Sequence, residues 1–382
     1  WAPLDAPDDV RLITEGIPWD VELVTTSPDG RRAAFSVNDN GLDRLYLLDL
    51  KRLTFALVDS IPTGLIDWVT FAPDSRSLAV SLSTAASPTD AYVLALRRNP
   101  LRFGALTRWT ESEVGGLNTE VFVTPELIEY PTFDDRETPA FVYRPRSKGP
   151  HPVIVAIHGG PEGQARPGFS STYQMWVGKL GAAVIRPNVR GSSGYGKSYL
   201  KLDNGKLRED SVRDIGALLD WIATQPDLDA SRVAVYGGSY GGYMVLASAV
   251  HYSERLVAAV DVVGISNFVT FLTNTQDYRR DLRRPEYGDE RDPDMRAFLE
   301  SISPLNHTEK IRIPMLVVQG QNDPRVPVTE SEQLVERLRA NGQSVWYMNA
   351  LNEGHGYRRK ENRDVYQQAV MMFFDRYLSI PE

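Results

Sequence analysis

Ser239, Asp323 and His355 are the residues whose types and order could carry covalent chemistry. Ser239 lies in Gly237-Gly238-Ser239-Tyr240-Gly241-Gly242, which contains G-x-S-x-G. The apolar run Val233-Ala234-Val235-Tyr236 leads in, and Tyr243-Met244-Val245-Leu246-Ala247 leads out. Strand, sharp turn and helix are the context of a nucleophilic serine. Glycines on both sides let the arms of the turn pass closely, where a Cβ would clash. A serine hydroxyl needs a base to take its proton, and the base needs an acid to orient it. His355 follows the strand-like Val345-Trp346-Tyr347-Met348 and is flanked by Gly354 and Gly356. His307 follows Ser303-Pro304-Leu305-Asn306 with no strand before it, so position favours His355. For the acid, Asp323 comes just after Pro314-Met315-Leu316-Val317-Val318, whereas Asp261 sits inside the run from Val257 to Val263. The place in a loop at a sheet edge favours Asp323. Taken singly, an Asp after a strand is commonly a turn residue and a lone histidine is commonly structural. The weight lies in the conjunction of Ser, Asp and His in that order, each past a strand-like run.

Acyl transfer also needs donors for a developing oxyanion. The amide of Tyr240, next to the serine, is one candidate. The second is Gly160, in His158-Gly159-Gly160-Pro161, directly after the apolar run Val153-Ile154-Val155-Ala156-Ile157.

These groups must be positioned by strands and helices in alternation. Strand-like runs fall at 153–157, 182–187, 232–236, 256–263, 314–319 and 344–349. Between them lie amphipathic stretches: Val212, Ile215, Leu219 and Ile222 share one helical face, and Tyr366, Ala369, Val370, Phe373, Phe374 and Tyr377 form another stripe. Thr329 and Glu332 read as a capping box before Leu334, Val335 and Leu338. The pattern predicts a mostly parallel, doubly wound α/β sheet over 118–382, with antiparallel strands added at its edge by 120–145.

The first ~115 residues differ from the rest. Leu23-Val24-Thr25-Thr26-Ser27-Pro28-Asp29-Gly30 resembles Trp68-Val69-Thr70-Phe71-Ala72-Pro73-Asp74-Ser75, with Pro28 and Pro73 45 positions apart. An all-β period of that length marks a propeller blade. Residues 1–117 then hold about two blades, and a closed propeller needs at least four. The expectation is a partial, truncated β-propeller, with other blades missing or supplied by a separate polypeptide.

The chain has 382 residues, a net charge of −8 and a pI near 5.3. That balance argues against a nucleic-acid partner. No apolar run approaches the ~18 residues of a membrane span. Cysteine is absent, which removes disulfides, a thiol nucleophile and cysteine metal sites. It is compatible with cytosol or periplasm, and a cytoplasmic location is favoured. The chain starts at Trp1 without a signal-peptide pattern, which suggests a processed form or a fragment.

Residues 191–198, Gly-Ser-Ser-Gly-Tyr-Gly-Lys-Ser, match the phosphate loop G-x-x-x-x-G-K-S. Such a loop joins a strand directly to a long helix. Here Pro187-Asn188-Val189-Arg190 intervenes, and Asp203-Asn204-Gly205 ends the following helical run early. Nucleotide binding is therefore disfavoured.

Taken together, GGSYGG around Ser239, HGGP at 158–161, RGSSGYG at 190–196, QNDPRVP at 321–327 and EGHGY at 353–357 resemble the motifs of the prolyl oligopeptidase family of serine peptidases. HGGP resembles its acylaminoacyl-peptidase branch. The resemblance implies an α/β-hydrolase domain behind a β-propeller, with Ser239 as nucleophile, Asp323 as acid and His355 as base. It implies that Arg325 grips a substrate carbonyl, and that no cofactor or metal is needed. The expected activity is hydrolysis of short peptides or N-acylated aminoacyl peptides through an acyl-enzyme. The alternatives are a carboxylesterase on the same fold and a non-catalytic propeller scaffold or nucleotide-binding module. Residues 264–300, with Phe268, Phe271 and Tyr278, are expected to wall the substrate pocket. The expected partners are a short peptide substrate and either a second copy of the chain or the remaining propeller segment.

Overall fold

The computed structural model describes residues 1–379. The chain divides into two compact units. The first comprises 1–124 with 166–170 and 194–196; the second holds the rest. The sequence-based boundary was expected at 117/118, and the division falls at 124/125.

The first unit contains two four-stranded antiparallel sheets, each in sequential order. One is built from β1 (Val21–Thr26), β2 (Arg32–Asp39), β3 (Leu42–Asp49) and β4 (Thr54–Leu57). The other is built from β5 (Leu65–Phe71), β6 (Ser77–Thr84), β7 (Ser87–Leu96) and β8 (Phe103–Arg108). The 45-residue repeat is the turn that opens each sheet. Gly30 N–H donates to Ser27 O at 2.9 Å, and Ser75 N–H donates to Ala72 O at 2.9 Å. Leu45, Leu47, Ile66, Val69, Leu78, Val80 and Leu94 bury into one shared apolar cluster. The buried Asp43 carboxylate accepts the Ile66 N–H at 2.6 Å, so a polar bond also crosses between the sheets.

The second unit is organised by an eight-stranded sheet. Its strands are β9 (Glu126–Pro131), β10 (Glu137–Tyr143), β11 (His151–Ile157), β12 (Ala183–Pro187), β13 (Leu228–Gly238), β14 (Ala258–Val262), β15 (Met315–Gly320) and β16 (Val345–Ala350). The spatial order is β16-β15-β14-β13-β11-β12-β10-β9. Neighbours from β12 to β16 are parallel, while β9 and β10 add antiparallel pairings at one edge. The helices are α1 (Ser171–Lys179), α2 (Gly196–Leu200), α3 (Asp210–Thr224), α4 (Tyr240–His251), α5 (Phe268–Asn274), α6 (Asp277–Tyr287), α7 (Pro293–Ile302), α8 (Val328–Ala340) and α9 (Lys360–Leu378). A parallel sheet needs apolar cover on both faces. Accordingly Val153, Val155, Val233, Val235, Met315 and Val317 are all buried, and α3 turns Val212, Ile215, Leu219 and Ile222 inward. Helix α4 is buried along eleven of its twelve residues, because it lies in the core rather than on its surface.

The expected capping box is corrected. Helix α8 starts at Val328 after Pro327 without a side-chain cap, so Thr329 lies inside the helix. Pro327 removes the cap position that Thr329 would have taken. The acidic residue that matters there is Glu330, fully buried and accepting the N–H groups of Ser266 and Asn267 at 3.1 and 2.9 Å. The G-x-x-x-x-G-K-S stretch enters a helix of only five residues, α2, so the helix a phosphate loop needs is not formed. No helix among the described residues is long and apolar enough to cross a membrane.

Candidate active site

Strand order reverses at β11, with β12 on one side and β13 on the other. Sites in open α/β sheets form at such switch points, beyond the carboxyl ends of the strands. Ser239 stands there, between β13 and α4, with φ 59° and ψ −122°. A non-glycine residue pays about 1–3 kcal/mol for such angles, and the surroundings must enforce them. They do so through close backbone contacts. Ser239 N–H donates to Val262 O on β14 at 2.9 Å. A Cβ on Gly237 would lie 2.3 Å from Gly241 O, and one on Gly241 would lie 2.3 Å from Ile157 O. The glycines flanking the serine are therefore there for close approach, as the pentapeptide implied.

Asp323 and His355 meet. His355 Nδ1–H donates to Asp323 Oδ2 at 2.7 Å. Asp323 is 8% exposed, and its other oxygen accepts the N–H groups of Arg325 at 2.8 Å and Val326 at 3.0 Å. Three donors on one carboxylate fix its plane. The two loops that carry the pair are joined by backbone. Asn322 N–H donates to Glu353 O at 2.9 Å, and Gly320 approaches so closely that a Cβ there would sit 2.1 Å from Gly354 O. Glu353 accepts N–H from Arg358 and Arg359, which fixes the chain just past the histidine. Among the described residues the Ser239 hydroxyl makes no hydrogen bond to His355.

The oxyanion candidates are the residue after the serine and a glycine in the loop after β11. Tyr240 is the first residue of α4, so its N–H has no partner within the helix. Gly160 has φ 145° and precedes the cis bond to Pro161. Its neighbour Gly159 is nearer the nucleophile: a Cβ built on Gly159 would lie 3.4 Å from Ser239 Cβ and 2.8 Å from Gly238 O. His158 steadies this loop by donating Nδ1–H to Gly159 O at 2.8 Å, with Nε2 2.9 Å from Ser192 Oγ. Desolvation holds His158 at a pKa of about 4, so it stays neutral.

The other candidates lie elsewhere. Asp261 is in β14, opposite Gly237 and fully buried. Neither of its carboxyl oxygens finds a hydrogen bond of normal geometry, and it is not bonded to His355. Burial, only partly offset by the nearby Gly264 amide, pushes its pKa up to about 7. His307 is tied to Ser301 O at 2.7 Å in a separate turn. Arg325 is exposed, and its guanidinium has no hydrogen bond or ion pair among the described residues. Phe268 and Phe271 are buried core residues; Phe268 packs 4.6 Å from Tyr243 and 5.2 Å from Tyr287, while Tyr278 is exposed. The first two therefore belong to packing rather than to a pocket wall, because the aromatic rings of α4 and α6 fill the space against them.

Two buried residues that touch the Tyr240 side chain gave no readable sign in the sequence. Asp203 looks like part of an ordinary Asp-Asn-Gly turn, and Arg208 lies in the polar run Lys206-Leu207-Arg208-Glu209-Asp210. Both are completely buried and paired with each other. Arg190, in the RGSSGYG stretch, is likewise buried and grips Asp214 of α3 with both N–H and guanidinium. That stretch is anchored by an internal ion pair. Among the described residues no group of three or more His, Asp or Glu gathers as a metal site.

Comparison with known proteins bears on the family and the fold. The family model described as the prolyl oligopeptidase family matches residues 167–380. Dipeptidyl aminopeptidase BIII of Pseudoxanthomonas mexicana is 29% identical over 344 residues, covering 87% of this chain and 48% of that protein. The acylamino-acid-releasing enzyme of Arabidopsis thaliana is 27% identical over 238 residues, covering 60% of this chain and 30% of that enzyme. The structure of Pyrococcus horikoshii acylaminoacyl peptidase superposes with a TM-score of 0.83 at 22% identity, over 98% of this chain and 59% of that one. The chain thus spans about half the length, or less, of these curated relatives.

Proposed function

The chain belongs to the prolyl oligopeptidase family, the matched residues being more than half of its length, and from that premise we propose that it is a serine peptidase acting on short peptides or N-acylated aminoacyl peptides. The single observation that carries the reading is the hydrogen-bonded Asp323–His355 pair on the loops after β15 and β16, at the same carboxyl edge of the sheet as a serine held at positive φ. His355 Nε2 removes the Ser239 hydroxyl proton as Oγ attacks the scissile carbonyl carbon. The carbonyl oxygen becomes an oxyanion, which the amides of Tyr240 and Gly160 receive. Collapse breaks the C–N bond, and the imidazolium returns the proton to the leaving amine. Water, deprotonated by the same imidazole, then cleaves the acyl-enzyme ester and regenerates the serine. Asp323 keeps the ring in the tautomer that presents a bare Nε2, and it stabilises the imidazolium.

Arg325, exposed and without a charge partner, is available to bind a substrate carbonyl. The two four-stranded sheets of the first unit are read as propeller blades, on the strength of their 45-residue repeat and sequential antiparallel order. Further blades would complete the ring. Of the named relatives, one is called a dipeptidyl aminopeptidase and another an acylamino-acid-releasing enzyme. Free and blocked amino termini are therefore both to be offered as substrates.

The test is Ser239→Ala, assayed with aminoacyl and acyl-aminoacyl p-nitroanilides beside p-nitrophenyl esters. Loss of several orders of magnitude in kcat is expected. Near-wild-type turnover would refute the nucleophile. Cleavage of esters alone would move the chain to the carboxylesterases.

A further inference from the structure

The side chain of Tyr240 points away from substrate chemistry into the protein, where it ends in a cluster of charges. Tyr240 is 1% exposed. Its hydroxyl donates to Asp203 Oδ2 at 3.1 Å, accepts from Arg208 Nη1 at 3.2 Å and lies 2.9 Å from Ser211 Oγ. Arg208 and Asp203 form an ion pair with no solvent exposure at either residue. Arg208 Nη2 also donates to Glu286 O at 2.9 Å, and its guanidinium lies over the rings of Tyr240 and Tyr287, 5.2 and 4.8 Å from their centroids. The ion pair is packed from behind by Gly191, where a Cβ would lie 2.3 Å from the Asp203 carboxylate. Asp203 and Arg208, from the segment before α3, and Ser211 of α3 thus converge on the phenolic oxygen that α4 carries, while α6 holds Arg208 through Glu286 O and the Tyr287 ring.

Such an arrangement is poorly explained by stability. Two charges taken out of water lose their hydration, and a buried ion pair can often be replaced by apolar residues without loss. Its placement is the informative feature. Tyr240 follows a serine whose backbone angles must be enforced, and its own N–H, the next along the chain, has no partner within the helix. A backbone amide has no side chain of its own by which to be aimed. It can be aimed only through the residue that bears it. Fixing the tip of the Tyr240 side chain from three directions fixes its Cα, and with it the direction of the amide. Displacement of an oxyanion donor from its line is costly, since such donors act through preorganised geometry.

We infer that the buried Asp203–Arg208 pair is a positioning group that aims the Tyr240 amide at the oxyanion. This rests on the serine nucleophile proposed above. Arg208 and Asp203 touch neither substrate nor serine; they act through Tyr240. The pair therefore stabilises the tetrahedral species selectively and leaves ground-state binding of substrate alone.

The test uses the full chain, with p-nitrophenyl acetate as substrate and phenylboronic acid as a reversible tetrahedral mimic. Tyr240→Phe keeps the ring and deletes only the anchored oxygen; Asp203→Asn keeps the shape and deletes the charge. Each is expected to lower kcat at least ~10-fold with KM changed less than about twofold, and to raise the phenylboronate Ki in proportion to the loss of kcat. A fall in thermal stability with kcat and Ki at wild-type values would overturn the inference and leave the pair structural. So would a loss of kcat with an unchanged Ki. Should Asp203→Asn fail to fold, Tyr240→Phe decides alone. Ser239→Ala is the separate control. If it keeps the wild-type rate, the nucleophile reading falls, whatever the Tyr240 variant does.

Discussion

Asp323 holds His355 at 2.7 Å through one carboxylate oxygen while its other oxygen is committed to two backbone N–H groups. The acid can neither rotate nor retreat, so the tautomer of the histidine is set by the loop after β15. Asp323→Asn preserves an acceptor for the two amides but turns an NH2 toward His355 Nδ1. The ring must then carry its proton on Nε2, where it cannot accept one from serine. A fall in kcat of roughly 1,000–10,000-fold is expected, with little change in KM. Steady-state kinetics on a p-nitroanilide substrate check this, beside a thermal melt that should stay near wild type.

Arg325 presents its charge to solvent with no partner to hold it. If it binds a peptide carbonyl, Arg325→Gln should raise KM for peptide substrates about 10- to 100-fold, the worth of one hydrogen bond to a charged donor. Small esters lacking that carbonyl should be hydrolysed at the wild-type rate. Equal effects on both substrates would remove Arg325 from the binding site. Stability should not change, because nothing in the fold leans on this side chain.

Asp261 is expected to give the protein a pH-dependent stability. Its folded pKa of about 7 lies above its unfolded value, near 3.8, so the folded state holds the extra proton between them. The contribution is fully present below about pH 4 and is lost as pH rises through about 7. Asp261→Asn keeps the shape and cannot ionise. The variant should match wild type near pH 4 and exceed it by ~4 kcal/mol at pH 8. Urea unfolding of both proteins across that range measures the difference; parallel curves would show that the buried carboxyl does not titrate.

Much of this site was legible in the sequence because its parts are local. The elbow needs a strand, a serine between glycines and a helix, all within a dozen residues, and the contacts of Gly237 and Gly241 bear out the steric reason for each. Parallel strands buried on both faces read as apolar runs, and all six predicted runs are strands. What escaped was long-range. Arg208 sits in a stretch that looks solvated, yet it is fully buried because Asp203, Tyr240 and Tyr287 surround it. Phe268 and Phe271 looked like pocket walls, but packing partners from α4 and α6 claim them. The Thr329 cap failed for a nearer reason, since the helix already begins at Val328, with Pro327 at its N-cap.

The bond from Asn322 to Glu353 and the bare contact between Gly320 and Gly354 make the acid's loop and the base's loop one mechanical piece. Anyone transplanting this charge pair onto another scaffold must move residues 320–326 and 350–359 as a single cassette. An insertion that lengthens either segment would uncouple the proton acceptor from its orienting partner while every catalytic side chain remained in place.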